Sequence, residues 1–246
     1  MRDKFLSVWA VWNFALKRES RIGFLASMAL IDILIGAPAY LITNHLMNWR
    51  GTTVFDPVTS IDLAIPFMAW TIVIYQSLFF LFYPLPLFSL PKEKKMRYEA
   101  LILSQSLLVI IILSNIWFVI FPAEVHLRDS IDVNNMHPIF SSMYETLWFF
   151  DSPYNSWPSL HVSSAGIFTL FAIRWWKDKP ILQWSIGISW ILMSLSILTT
   201  KQHFILDLVT AVILLAAVWK WKVLPCLENL ENMSVSRYDD KVLENH

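Results

Sequence analysis

The chain has 246 residues, of which 56% are apolar and 15% charged, with 13 Trp, 17 Phe and a formal net charge of zero. A soluble domain carries about 25% charged residues. This composition therefore excludes a disordered chain, a nucleic-acid binder with a basic face and most ordinary soluble enzymes, and predicts an all-α polytopic membrane protein. The one cysteine, Cys226, excludes an intrachain disulfide and a Cys₄ or Cys₂His₂ zinc site, and no Gly-rich nucleotide loop is present.

In chain order, residues 1–22 come first, with Trp9, Trp12, Lys17, Arg18 and Arg21. They read as an interfacial amphipathic helix. A helix crossing the hydrocarbon needs about 20 apolar residues. Six stretches fit that pattern: Gly23–Asn44, Ala64–Tyr83, Ala100–Phe121, Ser159–Ile173, Ile181–Thr199 and His203–Trp221. Together they predict a six-span membrane domain over residues 23–223. Asp32, mid-span in the first stretch, reads as a packing hydrogen bond. The tail, residues 224–246, is polar and expected to be loosely ordered.

Basic residues orient the chain. Sixteen of the nineteen lie in the N-terminal segment, in the loops after the second and fourth stretches, and in the tail. The opposite side holds only Arg50, Arg128 and Lys201. By the positive-inside rule both termini are cytoplasmic. The uncleaved N-terminus and modest length favour a bacterial cytoplasmic membrane.

The outward side carries the chemistry. Five of the six histidines fall there: His45, His126, His137, His161 and His203. So does the longest loop, Pro122 to Pro158, whose Trp148, Phe149 and Phe150 suit a headgroup layer. Pro158-Ser159-Leu160-His161 enters the fourth stretch. Pro suits a first helical turn, and the free N–H groups there favour an anion. Ser159 adds a hydroxyl, and His161 exchanges a proton near neutral pH. His203 and Asp207 enter the sixth stretch at i and i+4, on one helix face. There the carboxylate can hold one imidazole nitrogen protonated and leave the other as nucleophile or base.

These strings resemble the second and third motifs of the type 2 phosphatidic acid phosphatase superfamily, over roughly residues 100–222. The resemblance implies six spans, an active site at the outer leaflet, a phosphohistidine intermediate, and no metal or other cofactor. By matching position, it implies that His203 is the nucleophile and that Asp207 orients it. It makes His161 the acid for the leaving oxygen, and gives phosphate binding to Ser159 and the Leu160 backbone. The chain departs from the family pattern in three places. Leu160 replaces the usual Gly of the second motif, and Ile197 stands where the third motif has Arg. The first motif keeps only Arg128, with Phe121 in place of Lys and Asp129 in place of Pro. Arg128, Lys201, Ser159 and His126 are then the groups left to hold phosphate oxygens, and Arg128 reads equally as a headgroup anchor. The variants Pro-Ser-Leu-His and Lys-Gln-His, with Asp151–Asn155, are similar to the branch containing inositol phosphorylceramide synthases and bacterial relatives.

Four functions follow as expectations. The first is a hydrolase acting on a lipid phosphate or prenyl diphosphate among membrane lipids. A phosphotransferase between lipids needs the same motifs. A non-catalytic lipid transporter or scaffold is the third. A metal site built from His126, His137, His161 and Glu124 is the fourth, since neutral imidazoles suit zinc.

Overall fold

Residues 9–232 are described by a computed structural model and are helical, with no strand among them. Helix α1 (Arg21–Arg50) opens on Ser20, whose hydroxyl accepts the Gly23 N–H at 3.0 Å, and closes on Gly51 at φ 57°, a left-handed cap suited to Gly. Next come α2 (Ser60–Ala64), a segmented apolar stretch, and α3 (Lys94–Ile120). Two 3₁₀ turns and α4 (Pro138–Phe150) occupy the long loop. The chain then runs through α5 (Leu160–Trp175), α6 (Pro180–Thr199) and α7 (Ile205–Val218). A π turn, Trp219–Val223, joins α7 to α8 (Leu224–Glu231).

Among the described residues four helices are long and apolar enough to cross a membrane, not the six predicted: α1, α3, α6 and the continuous α7–α8 run. The second predicted stretch is broken into a 3₁₀ turn (Ala69–Thr71), one helical turn (Ile72–Tyr75) and a π turn (Leu78–Phe82), bounded by Pro66 and Pro84. A proline inside a helix removes a hydrogen bond and clashes with the preceding turn. The fourth, α5, is 16 residues long, starting late at the Ser159 cap and ending before Pro180.

Two further expectations change. Within residues 1–22, residues 1–8 lie outside the described part, and the remainder is no continuous interfacial helix. It is a 3₁₀ turn (Ala10–Trp12) and a single helical turn (Asn13–Leu16), with Trp12 and Ala15 buried in the core. The tail is not loose where it is described. Cys226, Leu227 and Leu230 of α8 are buried, and Glu231 pairs with Arg174 at 2.7 Å. Residues 233–246 lie outside the described part.

Helix α3 is the hub, packing on α1, α5, α7 and α8. Its first turns are pinned at the basic end: Arg174 reaches Glu99 through two bonds of 3.0 and 3.1 Å, and Trp175 Nε1 donates to Glu99 at 2.9 Å. Arg21 likewise donates to the carbonyls of Leu87 and Leu90. Basic residues at this end thus satisfy local carbonyls and acids. At Gly166 of α5 an added Cβ would stand 2.3 Å from Leu215 Cδ2, so Leu215 of α7 packs into the space that a side chain here would take. Trp190 of α6 closes the same contact by donating to the Val162 carbonyl at 3.0 Å. This three-helix contact fixes how the starts of α5 and α7 meet at the other end.

Candidate active site

The two sequence strings meet there. The Ser159 N–H, at the cap of α5, donates to the backbone carbonyl of Asp207 in α7 at 3.2 Å, and the Ser159 hydroxyl lies 3.5 Å from His203 Nε2. Pro158 does not open the helix as expected. It precedes the cap, after a cis Trp157–Pro158 bond. The turn leading into α7 is tight. Lys201 takes φ 57°, and the N–H groups of Gln202 and His203 both donate to the Ile197 carbonyl at 3.2 Å. Ile197, where the family pattern has Arg, is therefore a buried core residue whose backbone holds this turn.

His203 and Asp207 meet in a geometry other than a shared helix face. Helix α7 begins at Ile205 with Phe204 as its cap, so His203 lies outside it. Asp207, in the first turn, reaches back. Its Oδ2 accepts the Phe204 N–H at 3.0 Å and stands 3.1 Å from His203 Nδ1. The Ser156 carbonyl is also 3.1 Å from Nδ1. Two acceptors on one side of the ring place the proton on Nδ1 and leave the Nε2 lone pair facing the cleft. That is the tautomer a nucleophilic imidazole needs, and the buried carboxylate stands ready to stabilise the cation formed on attack.

His161 faces this group from the first turn of α5. Its ring centroid is 6.1 Å from that of His203. Tyr75, from the segmented stretch, stacks on it at 4.1 Å and brings its hydroxyl within 3.3 Å of His161 Nδ1. With Tyr75 donating, Nδ1 is the acceptor and Nε2 carries the proton. Nε2 is buried and has no protein partner. Two imidazoles thus face each other at the end of the cleft.

The expected cations are placed differently. Arg128 does not project freely: it donates to the Asp151 carbonyl at 2.6 Å and to its carboxylate at 2.9 Å. Tyr40 also donates to that carboxylate, and Asn44 donates to it at 3.3 Å and to the Ser152 carbonyl at 2.8 Å. This network anchors the strand of chain that carries Ser156. Lys201 is buried with its ammonium on the Asp62 carbonyl at 2.7 Å, while the Asp62 carboxylate accepts the Ile205 N–H of α7 at 2.7 Å. Burial holds the Lys201 ammonium below the ordinary lysine range, against the pull of Asp62. His126 is half exposed and lies 3.6 Å from Asp56. The four candidate metal ligands do not gather: His137 accepts the Ile139 N–H of its own helix, and Glu124 accepts from Tyr154 at 3.1 Å.

A cleft of about 970 Å³ opens beside the two histidines. Leu160, His161, His203 and Asp151 line its site end, and α1 walls it from Tyr40 to Ile22. By the helical rise that wall is roughly 27 Å long, close to the roughly 30 Å of a bilayer's hydrocarbon. Apart from a few side chains its surface is apolar.

Three parts of this site carry no sequence signal. The Ser156 carbonyl is backbone. Tyr75 is one of seven tyrosines in an apolar chain. Tyr40 and Asn44 stand more than a hundred residues from the Asp151 they hold. Comparison with curated proteins gives no match. A family model described as the PAP2 superfamily matches residues 53–221, a stretch that includes Tyr75, Arg128, Ser159, His161, His203 and Asp207. With that match over most of its length, with long apolar helices and with the paired histidines, the chain belongs to the PAP2 superfamily.

Proposed function

We propose that the protein is an integral membrane lipid phosphatase working through a phosphohistidine at His203. The observation that carries this reading is the pair of facing imidazoles: Nδ1 of His203 lies against two acceptors, while Nε2 of His161 is buried and unpartnered. Membership of the PAP2 superfamily supports a phosphatase or phosphotransferase.

In the first step His203 Nε2 attacks phosphorus and the ester P–O bond breaks. The negative phosphate favours His161 as the imidazolium, which gives its Nε2 proton to the departing alcohol oxygen and is left neutral, while Asp207 stabilises the new His203 imidazolium. In the second step water attacks the phosphohistidine, gives its proton to His161, and the P–N bond breaks to release phosphate. The phosphate oxygens are held by the unpaired N–H groups of the first turn of α5, by Ser159 and by the positive end of the helix. The charge of Arg128 acts through space across Asp151. Ser159, Leu160 and His161 thus keep the roles given by their motif, while Lys201 and His126 serve as structural supports. The basic clusters lie at the far end of the bundle, which supports an extracytoplasmic site.

A phosphotransferase is the second reading. His203 is only 5% exposed and faces an apolar cleft, so a lipid hydroxyl held there competes well with water. The test is release of inorganic phosphate from lipid phosphates by the purified protein, with and without a lipid alcohol. Wild type turns over and His203→Ala does not. Equal turnover by both overturns the scheme.

A further inference from the structure

The cleft contains a second polar station that the phosphate chemistry leaves unused. Along α1 its wall is apolar except at Tyr40, near the site, and at Asp32. Asp32 lies about 12 Å from Tyr40 by the helical rise. It also lies outside the stretch that matches the PAP2 model. Asp32 Oδ2 accepts from Ser104 Oγ of α3 at 2.8 Å, while Oδ1 is buried with no partner. On the facing wall, Tyr83 and Ser164 also line the cleft. Ser164 is one helical turn below His161. Four separate segments therefore bring one polar side chain each to the cleft.

A purely hydrocarbon tail filling the cleft would leave Asp32 Oδ1 unpaired, which is costly in an apolar medium. A hydroxyl or an amide removes that cost. Each can donate and accept, so each pairs with the carboxyl group in either protonation state. An isoprenoid chain offers neither. We infer that Asp32 and Ser104 form a subsite for a hydroxyl or amide group carried on the lipid chain about two helical turns below the phosphate. This rests on the reading of the cleft as the lipid site, and it narrows the substrate to lipids with a polar group partway down the chain.

The test uses the full chain in detergent and three probes of equal chain length. These are an alkyl phosphate, the same phosphate with a hydroxyl on its chain about 12 Å from phosphorus, and one with an amide at that position. Dissociation constants are read by native mass spectrometry and KM by phosphate release. The expected result is binding of the hydroxyl or amide probe about tenfold tighter than the alkyl phosphate, the effect of one net hydrogen bond. Asp32→Leu brings that ratio close to one, and Asp32→Asn, which keeps a donor and an acceptor, retains most of it. The two polar probes separate a hydroxyl from an amide preference. Equal binding of all three by wild type overturns the subsite, as does an unchanged ratio in a folded Asp32→Leu. If Asp32→Leu fails to fold, the wild-type ratio and Asp32→Asn decide. A binding preference without any turnover refutes the phosphatase reading and leaves the subsite standing. Turnover of all three at equal KM and Kd does the reverse.

Discussion

Replacing Asp207 by Asn removes a charge while keeping the shape of the site. In wild type Asp207 Oδ2 holds both the Phe204 N–H and His203 Nδ1, and it is fully buried. The amide oxygen of Asn can still accept from Phe204, so α7 keeps its first turn. The Ser156 carbonyl, 3.1 Å from Nδ1, still holds the proton there, so the tautomer survives. What is lost is the stabilisation of the imidazolium by a carboxylate. A hydrogen bond to a charged group is worth about 1.5–3 kcal/mol, and about 1.4 kcal/mol is tenfold in rate. The expected outcome is a fall in kcat of roughly 10- to 100-fold with KM little changed. The assay is steady-state phosphate release from a micellar lipid phosphate, with a melting curve to confirm folding. Unchanged kcat refutes the role of Asp207. A loss as complete as that of His203→Ala refutes the argument that Ser156 is a second acceptor.

Three further outcomes follow from the same geometry. His161→Gln slows turnover of an alkyl lipid phosphate by about 10²–10⁴, but has little effect on an aryl phosphate, whose leaving group needs no proton; equal losses on both would contradict its role as acid. Arg128→Met destabilises the protein by about 3 kcal/mol, since it strands the largely buried Asp151, and the melting curve shows this as a clear drop. Lys201 gives a pH effect. Its folded proton affinity is lowered, so the unfolded chain binds that proton more tightly and stability rises with pH toward the ordinary value of 10.5. Lys201→Met should remove that rise in unfolding experiments.

Much of this site was legible as residue letters, less as geometry. The pairing of Ser159, His161, His203 and Asp207 followed from two short strings at the starts of two helices. Their exact placement did not, because His203 sits before the cap of α7 and Asp207 reaches back to it. Hydropathy alone overstated the number of long, unbroken apolar helices. It counts apolar residues without sensing that Pro66 and Pro84 flank a stretch of 3₁₀, α and π turns, or that α5 stops at 16 residues. Arg128 and Lys201 were legible as scarce cations, but their partners were not. Asp151 and Asp62 lie 23 and 139 residues away in sequence, and only the fold brings them together. Asp32 reads in the sequence as a packing hydrogen bond, and Ser104 supplies it; the unpaired oxygen beside it is visible only with the cleft.

The most direct measurement is to trap the covalent intermediate. The purified protein is mixed with a lipid phosphate labelled on phosphorus, quenched in alkali and digested, and the labelled peptide is sequenced. The account predicts an acid-labile, alkali-stable label on His203 that is absent from His203→Ala and accumulates in a variant slowed in the second step. Label on another residue, or full turnover with His203 unmodified, would contradict it.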